Sequence, residues 1–142
     1  MHFELVRPEQ EVQLPLRATS GSCGYDFFMP EDVVVPARQM VSISTNITVA
    51  HDNDDPARWI LHLYPRSSFG IKRHIMLANT VGVVDSDYCG FEIKVFFYNY
   101  GDEDVQLMAG DRFVQGVFVP YLITSDDEAF GERVGGFGST GR

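Results

Sequence analysis

The chain is poor in cysteine, in positive charge and in helical periodicity, and each shortage narrows what it can be. Of its 142 residues only Cys23 and Cys89 are cysteines, too few for a disulfide framework. Both therefore read as buried or idle thiols of a protein kept in a reducing compartment. Eleven lysines and arginines face twenty acidic residues, for a formal net charge of −9. This balance argues against direct nucleic-acid binding, which needs a basic surface. Any bound anion must be held by local donors or a metal against the overall field. No apolar run reaches membrane-spanning length, and the N-terminus lacks a basic segment followed by a long apolar one. The expectation is a soluble cytoplasmic protein with no membrane contact. The four histidines, His2, His51, His62 and His74, show no metal-ligand spacing, and none is assigned a ligand role.

What the chain does contain is alternation. A hydrophobic share of 44% and an aromatic share of 13% suit one folded domain. Residues 2–16 read as two short strands around a turn at Arg7 and Pro8. Residues 25–28, 33–36, 40–49, 59–64, 91–99 and 112–119 read as further strands, rich in β-branched and aromatic residues, and 105–111 as a short strand and turn. A strand every ten residues or so, with no internal repeat, is the pattern of an all-β sandwich, jelly roll or barrel.

Several polar segments stand out against that frame. Residues 79–90 read as a hairpin around Gly82, with Val81, Val83 and Val84 burying one side and Asp85, Ser86, Asp87 and Tyr88 at its mouth. An amide, exposed backbone, a carboxylate and an aromatic ring are the parts needed to read a polar base and activate a water beside it. They are equally the parts of an ordinary polar turn. Asp26 is either a solvent-facing residue of an alternating strand or a site carboxylate. Residues 65–73 form either an anion-gripping turn around Arg66, Ser67 and Ser68 or a short surface helix. Gln115, among apolar neighbours, either ties loops together or faces a polar ligand. The acidic run near His51 reads as a solvated turn. The glycine-rich stretch 135–142 offers small residues, two hydroxyls and free N–H groups, as a phosphate cradle does, with Phe137 as a flat aromatic face.

Five of these segments, in order, resemble the motifs of the trimeric deoxyuridine triphosphatases. They are residues 24–27 (Gly-Tyr-Asp-Phe), 65–68 (Pro-Arg-Ser-Ser), 82–90 (Gly-Val-Val-Asp-Ser-Asp-Tyr-Cys-Gly), 110–115 (Gly-Asp-Arg-Phe-Val-Gln) and 135–141 (Gly-Gly-Phe-Gly-Ser-Thr-Gly). The resemblance implies a single-domain, jelly-roll-like β-barrel over residues 1–123 with a flexible glycine-rich arm over 124–142. It also implies a homotrimer whose active sites lie between subunits. The implied reaction is hydrolysis of dUTP to dUMP and pyrophosphate with Mg²⁺ as cofactor. That reaction keeps uracil out of DNA and supplies dUMP for thymidylate synthesis.

By position, Asp85 corresponds to the base that deprotonates water, with Arg66, Ser67 and Gln115 on the phosphates around the reacting centre. Ser68 joins the phosphate grip, and Asn79 and the backbone at Gly82 correspond to the uracil-reading groups. Tyr88 would lie under the deoxyribose, where a 2′-hydroxyl would clash. Phe137 would stack on the base, with Gly138, Ser139 and Thr140 capping the outer phosphates. Asp26 would reach Mg²⁺ through water.

Two departures from the family pattern are visible. Glu132 stands where many relatives have arginine, and Arg133 follows one place later, so the γ-phosphate contact falls to Arg133 or Arg142. Ser68 replaces a frequent glycine. The same fold also serves dCTP deaminases, but those carry a catalytic glutamate where this chain has Phe96. Without that acid the proton shuttle of deamination is missing. A non-enzymatic nucleotide-sensing module is the other class, and the intact Asp85 argues for catalysis.

Overall fold

The structure, a computed structural model, describes residues 1–52, 58–133 and 135. Its elements are β1 (His2–Leu5), β2 (Tyr25–Phe28), β3 (Val33–Val35), β4 (Met40–Ser44), β5 (Ile47–Ala50) and β6 (Trp59–Pro65). They continue with α1 (Ser67–Arg73), β7 (Ile75–Leu77), β8 (Gly82–Asp85), β9 (Lys94–Asn99), β10 (Val105–Leu107) and β11 (Arg112–Pro120), and a single 3-10 turn at Ser86–Tyr88 follows β8. The chain is thus mostly β. Its strands pair antiparallel into four sheets: β1-β5, β10-β3, β4-β9-β7 and β2-β11-β6-β8. The expected barrel is not closed, because no backbone ladder joins these four sheets to one another among the described residues.

Two expected strands come out differently. The alternating run 40–49 breaks at Asn46, which adopts φ 61° and turns the chain from β4 into β5. Asparagine tolerates this left-handed conformation. Here its side chain is also used, since its Oδ1 accepts from the Arg7 N–H at 2.8 Å and its amide donates to the Arg7 carbonyl at 3.0 Å. The second strand expected within 2–16 is reduced to one bridge, Leu16 to Asp26. Leu14 and Leu16 stay 43% and 39% exposed, so the alternation there has no layer to bury against.

The core is mainly apolar, with Thr45, Asn46 and Asn99 fully buried beside it. Phe27, Leu61, Phe97, Phe113 and Leu107 are fully covered, and Phe97 stacks on Phe69 at 5.5 Å. Phe69 is the buried residue of α1, and its contact fixes the helix against the sheet. In the four-stranded sheet, Gly116 leaves β11 no room for a side chain on the inner face. A Cβ there would lie 2.8 Å from Leu61 and 2.9 Å from Phe27. That inward face leaves the opposite face of the sheet for polar work.

Candidate active site

Strand alternation and register decide which side chains share the outer face of the β2-β11-β6-β8 sheet. Asp26 pairs with Gln115, Gln115 with Tyr64, Val117 with His62, and Val119 with Ile60. On the other side of β6, His62 pairs with Val83 and Ile60 with Asp85. One end of the face therefore carries Asp26, Gln115 and Tyr64, and the other carries Asp85. The middle is held by Val117, His62 and Val83, of which Val83 is 56% exposed rather than buried as expected.

At the first end lies a cleft of about 400 Å³ lined by Gly24, Asp26, Arg66, Ser67, Arg112 and Gln115 among others. Asp26 is 7% exposed, so its charge must be compensated. Two guanidinium groups do this: Arg66 Nη1 donates to Oδ1, and Arg112 Nη1 donates to Oδ2 at 3.2 Å. Asp26 therefore does not face solvent, as strand alternation allowed; it lines the cleft paired with two arginines. Arg66 precedes α1 in extended conformation (φ −68°, ψ 147°), so the chain enters the helix with Ser67 at the cleft. Residues 67–73 are helical, the second of the two readings of this segment, and the helix begins with Ser67 lining the cleft beside Arg66. Gly24 is a close approach, since a Cβ there would stand 2.8 Å from Gln115 Oε1. Arg112 was assigned no role from sequence, although it lies three places before Gln115.

Asp85 and its neighbours form a second group. β8 pairs with β6 and not with a return strand of its own, so residues 79–90 are an edge strand followed by a 3-10 turn rather than a hairpin. Asn79 is exposed in the turn before β8, where Thr80 takes φ 62°, rare for a β-branched residue. Gly82 is needed by the fold itself: a Cβ would meet Leu63 Cβ at 2.9 Å. Asp85 is half exposed and receives Arg133 Nη2 at 2.5 Å, while Arg133 Nε donates to Asp87 at 2.7 Å. The guanidinium also lies 5.6 Å over the Tyr88 ring. Burial pushes the Tyr88 phenol above its ordinary value, and its hydroxyl donates to the Glu92 carbonyl at 3.1 Å.

The structure thus brings Asp26, Arg66, Ser67 and Gln115 together and, separately, Asp85, Tyr88 and Arg133. Ser68 follows Ser67 in α1, half-buried. Phe137, Gly138, Ser139, Thr140 and Arg142 lie outside the described residues, as does most of the acidic loop after Asp52. From the register, Asp85 and Gln115 are four residues apart along the strands and two strands apart across them, roughly 16 Å between backbones.

The profile of the dUTPase family matches residues 10–141. The chain belongs to the dUTPase family. Deoxyuridine 5′-triphosphate nucleotidohydrolase of Lactococcus lactis is 37% identical over 98% of this chain and 96% of its own length, and that of Haemophilus ducreyi 39% identical over 94% and 90%. The crystal structure of dUTPase from Streptococcus mutans superposes with a TM-score of 0.78 at 32% identity, covering 88% of this chain and 99% of that one. The dUTPase of phage phi11 of S. aureus, at 20% identity and a TM-score of 0.75, shares the fold, and its structure coordinates a structural Mg(II) ion. As a dUTPase by family, the chain is a dUTP diphosphatase, an enzyme of nucleotide metabolism. No helix among the described residues is long and apolar enough to cross a membrane.

Among those residues no group of three or more histidine, cysteine or acidic side chains converges as a dUTPase metal site would if the protein alone held the ion. Both Asp26 oxygens already accept from arginine, so a metal ion bound directly there would sit against two guanidinium groups, whereas a metal-bound water could donate to the remaining lone pairs. This donor set fits Mg²⁺ carried on the substrate's phosphates, which keeps most of its waters, and does not fit direct coordination.

Proposed function

We propose that dUTP hydrolysis is carried out at a site made by two copies of the chain, the Asp85 end of one sheet face meeting the Asp26–Arg66–Gln115 cleft of another. The observation that carries this is the separation of roughly 16 Å between Asp85 and Gln115 along one face. A base and an amide serving the same phosphorus must both lie within hydrogen-bond reach of it or of its attacking water. One chain cannot satisfy both, whereas a ring in which each copy offers its two ends to different neighbours satisfies every site. The half-exposed middle of the face, with Val83 and Val117 flanking His62, is what such an interface would cover. A closed homotrimer of jelly-roll subunits is the arrangement we assign.

In this site Asp85 accepts a proton from water, whose oxygen attacks the α-phosphorus. The bond from that phosphorus to the bridging oxygen breaks, pyrophosphate leaves, and dUMP retains the new oxygen. Ser67 and Arg66 donate to the oxygens on which leaving-group charge develops, and Gln115 holds the α-phosphate; these contacts matter because they strengthen as charge builds. Mg²⁺, held on the phosphates with Asp26 accepting from one of its waters, would supply further positive charge. Asn79 and the backbone at Gly82 read the uracil edge, whose acceptor-donor-acceptor order cytosine lacks, and Tyr88 closes the sugar side against a 2′-hydroxyl. Ser68 in α1 and the arm from residue 124, with Arg133 and the groups at Phe137, Gly138, Ser139 and Thr140, complete the phosphate and base contacts. The product role is supply of dUMP for thymidylate synthesis and exclusion of uracil from DNA, in the cytoplasm.

Pyrophosphate release from dUTP, dCTP, dTTP and UTP in the presence of Mg²⁺ tests this reading. Turnover of dUTP is expected to exceed the others by at least about a hundredfold in kcat/KM. Equal turnover of UTP would remove the role given to Tyr88, and equal turnover of dCTP the role given to Asn79 and the β8 backbone.

A further inference from the structure

We infer that Asp87 is a positioning residue: it parks Arg133 beside Asp85 while the site is empty, and an incoming triphosphate must draw Arg133 away before Asp85 can accept a proton. The second half of this inference rests on the dUTP-hydrolysing role proposed for Asp85.

The geometry is that of a fork. Arg133 divides its donors between Asp85 and Asp87, at 2.5 and 2.7 Å, with its guanidinium over the ring of Tyr88. Its side chain is only 13% exposed, whereas the two carboxylates are 51% and 55% exposed. A long cationic side chain held this still gives up rotamer freedom and hydration, and only charge-assisted bonds and ring contact offset that loss. All three partners come from residues 85–88, so the dock is built from the turn that carries the base.

Two consequences follow for a polyanionic ligand. Bare Asp85 and Asp87 would repel a triphosphate, in a chain whose net charge is already −9. The parked arginine neutralises part of that field and lets the ligand approach. Once there, the phosphates outbid two carboxylates for the same guanidinium, and the Asp85 oxygen that had accepted from Nη2 becomes available to water. Asp87 touches neither water nor phosphate in this scheme, and it tunes how tightly Arg133 is held before substrate arrives.

Trypsin reads the parked state directly, because it must take the Arg133 side chain into its own pocket. In the nucleotide-free full-length protein, cutting after Arg133 is measured relative to cutting after Arg17, which lies in an exposed loop. The Asp87→Asn and Asp85→Asn variants are each expected to raise that ratio about fivefold, the size of losing one partly exposed charged limb, and Asp87→Glu to restore it. In dUTP turnover Asp87→Asn is expected to lower KM by a similar factor with kcat unchanged. An unchanged cleavage ratio in Asp87→Asn overturns the parking. A raised ratio with unchanged KM overturns the competition with substrate. If the wild-type protein did not hydrolyse dUTP, the proposed function would fail while the cleavage ratio still decided the parking.

Discussion

Two inactive variants of this protein should repair each other. Asp85→Asn removes the base from one end of the sheet face, and a Ser67→Ala/Gln115→Ala double variant disarms the cleft at the other. Neither change touches the core: Asp85 and Ser67 are exposed and Gln115 is half-buried. Each protein alone is expected to retain about 1% of wild-type turnover or less, the cost of a general base or of aligned phosphate donors. If a site takes Asp85 from one copy and its cleft from a neighbour, random association of equal amounts gives an intact base in half the sites. An intact cleft occurs independently in half, so about a quarter of all sites are wild type in both parts. Either kind of mixed trimer then holds about one working site in three, a second number that can be checked on purified species. The assay is pyrophosphate release from dUTP by co-expressed, differently tagged chains, with size measured alongside. Mixed oligomers no more active than the mean of their parents would refute the two-copy site, because they would place both halves in one chain despite the roughly 16 Å between them.

Two glycines should separate activity from stability. Gly116→Ala drives a methyl group into Leu61 and Phe27 and should cost about 1–3 kcal/mol in chemical denaturation, whereas Gly24→Ala meets the Gln115 amide and should lower kcat/KM about tenfold with little change in the denaturation midpoint. The link between Glu92 and Arg7 should show in the acid limb of stability: the Arg7 side chain and the Asn46 N–H hold the Glu92 carboxylate below its ordinary pKa. A depressed folded-state pKa contributes stability that is complete above the unfolded value and fades as pH falls through the folded one. The Tm difference between wild type and Glu92→Gln, a few degrees near neutrality, should therefore shrink below about pH 4.3 and vanish in stronger acid. A difference that grew on acidification would contradict the assignment.

Much of this was legible in the residues. The alternation of β6, β9 and β11 survives folding because each has a core on one side, and the five motif segments name the enzyme family. Other features depend on what lies across the chain. Asn46 breaks a run whose neighbours all favour a strand, and nothing local distinguishes its left-handed turn from a polar strand residue. Residues 12–16 alternate correctly but have no partner sheet. A seven-residue helix such as α1, with Phe69 alone buried, is too short for periodicity to reveal. The distance between Asp85 and Gln115 is a property of how β8 and β11 register on β6, and that is invisible along the sequence. The roles of Arg112 and Asp87 are hidden for the same reason: each is defined by a partner many residues away.

β11 lies between β2 and β6, so the groups of the Asp26 cleft, drawn from near residues 24, 66 and 115, meet only after the last strand has slotted in. A nascent or prematurely ended chain that stops before Arg112 would possess the acidic turn at Asp85 but no basin for a triphosphate. At the site proposed above, nucleotide capture would therefore have to wait until the polypeptide is nearly whole.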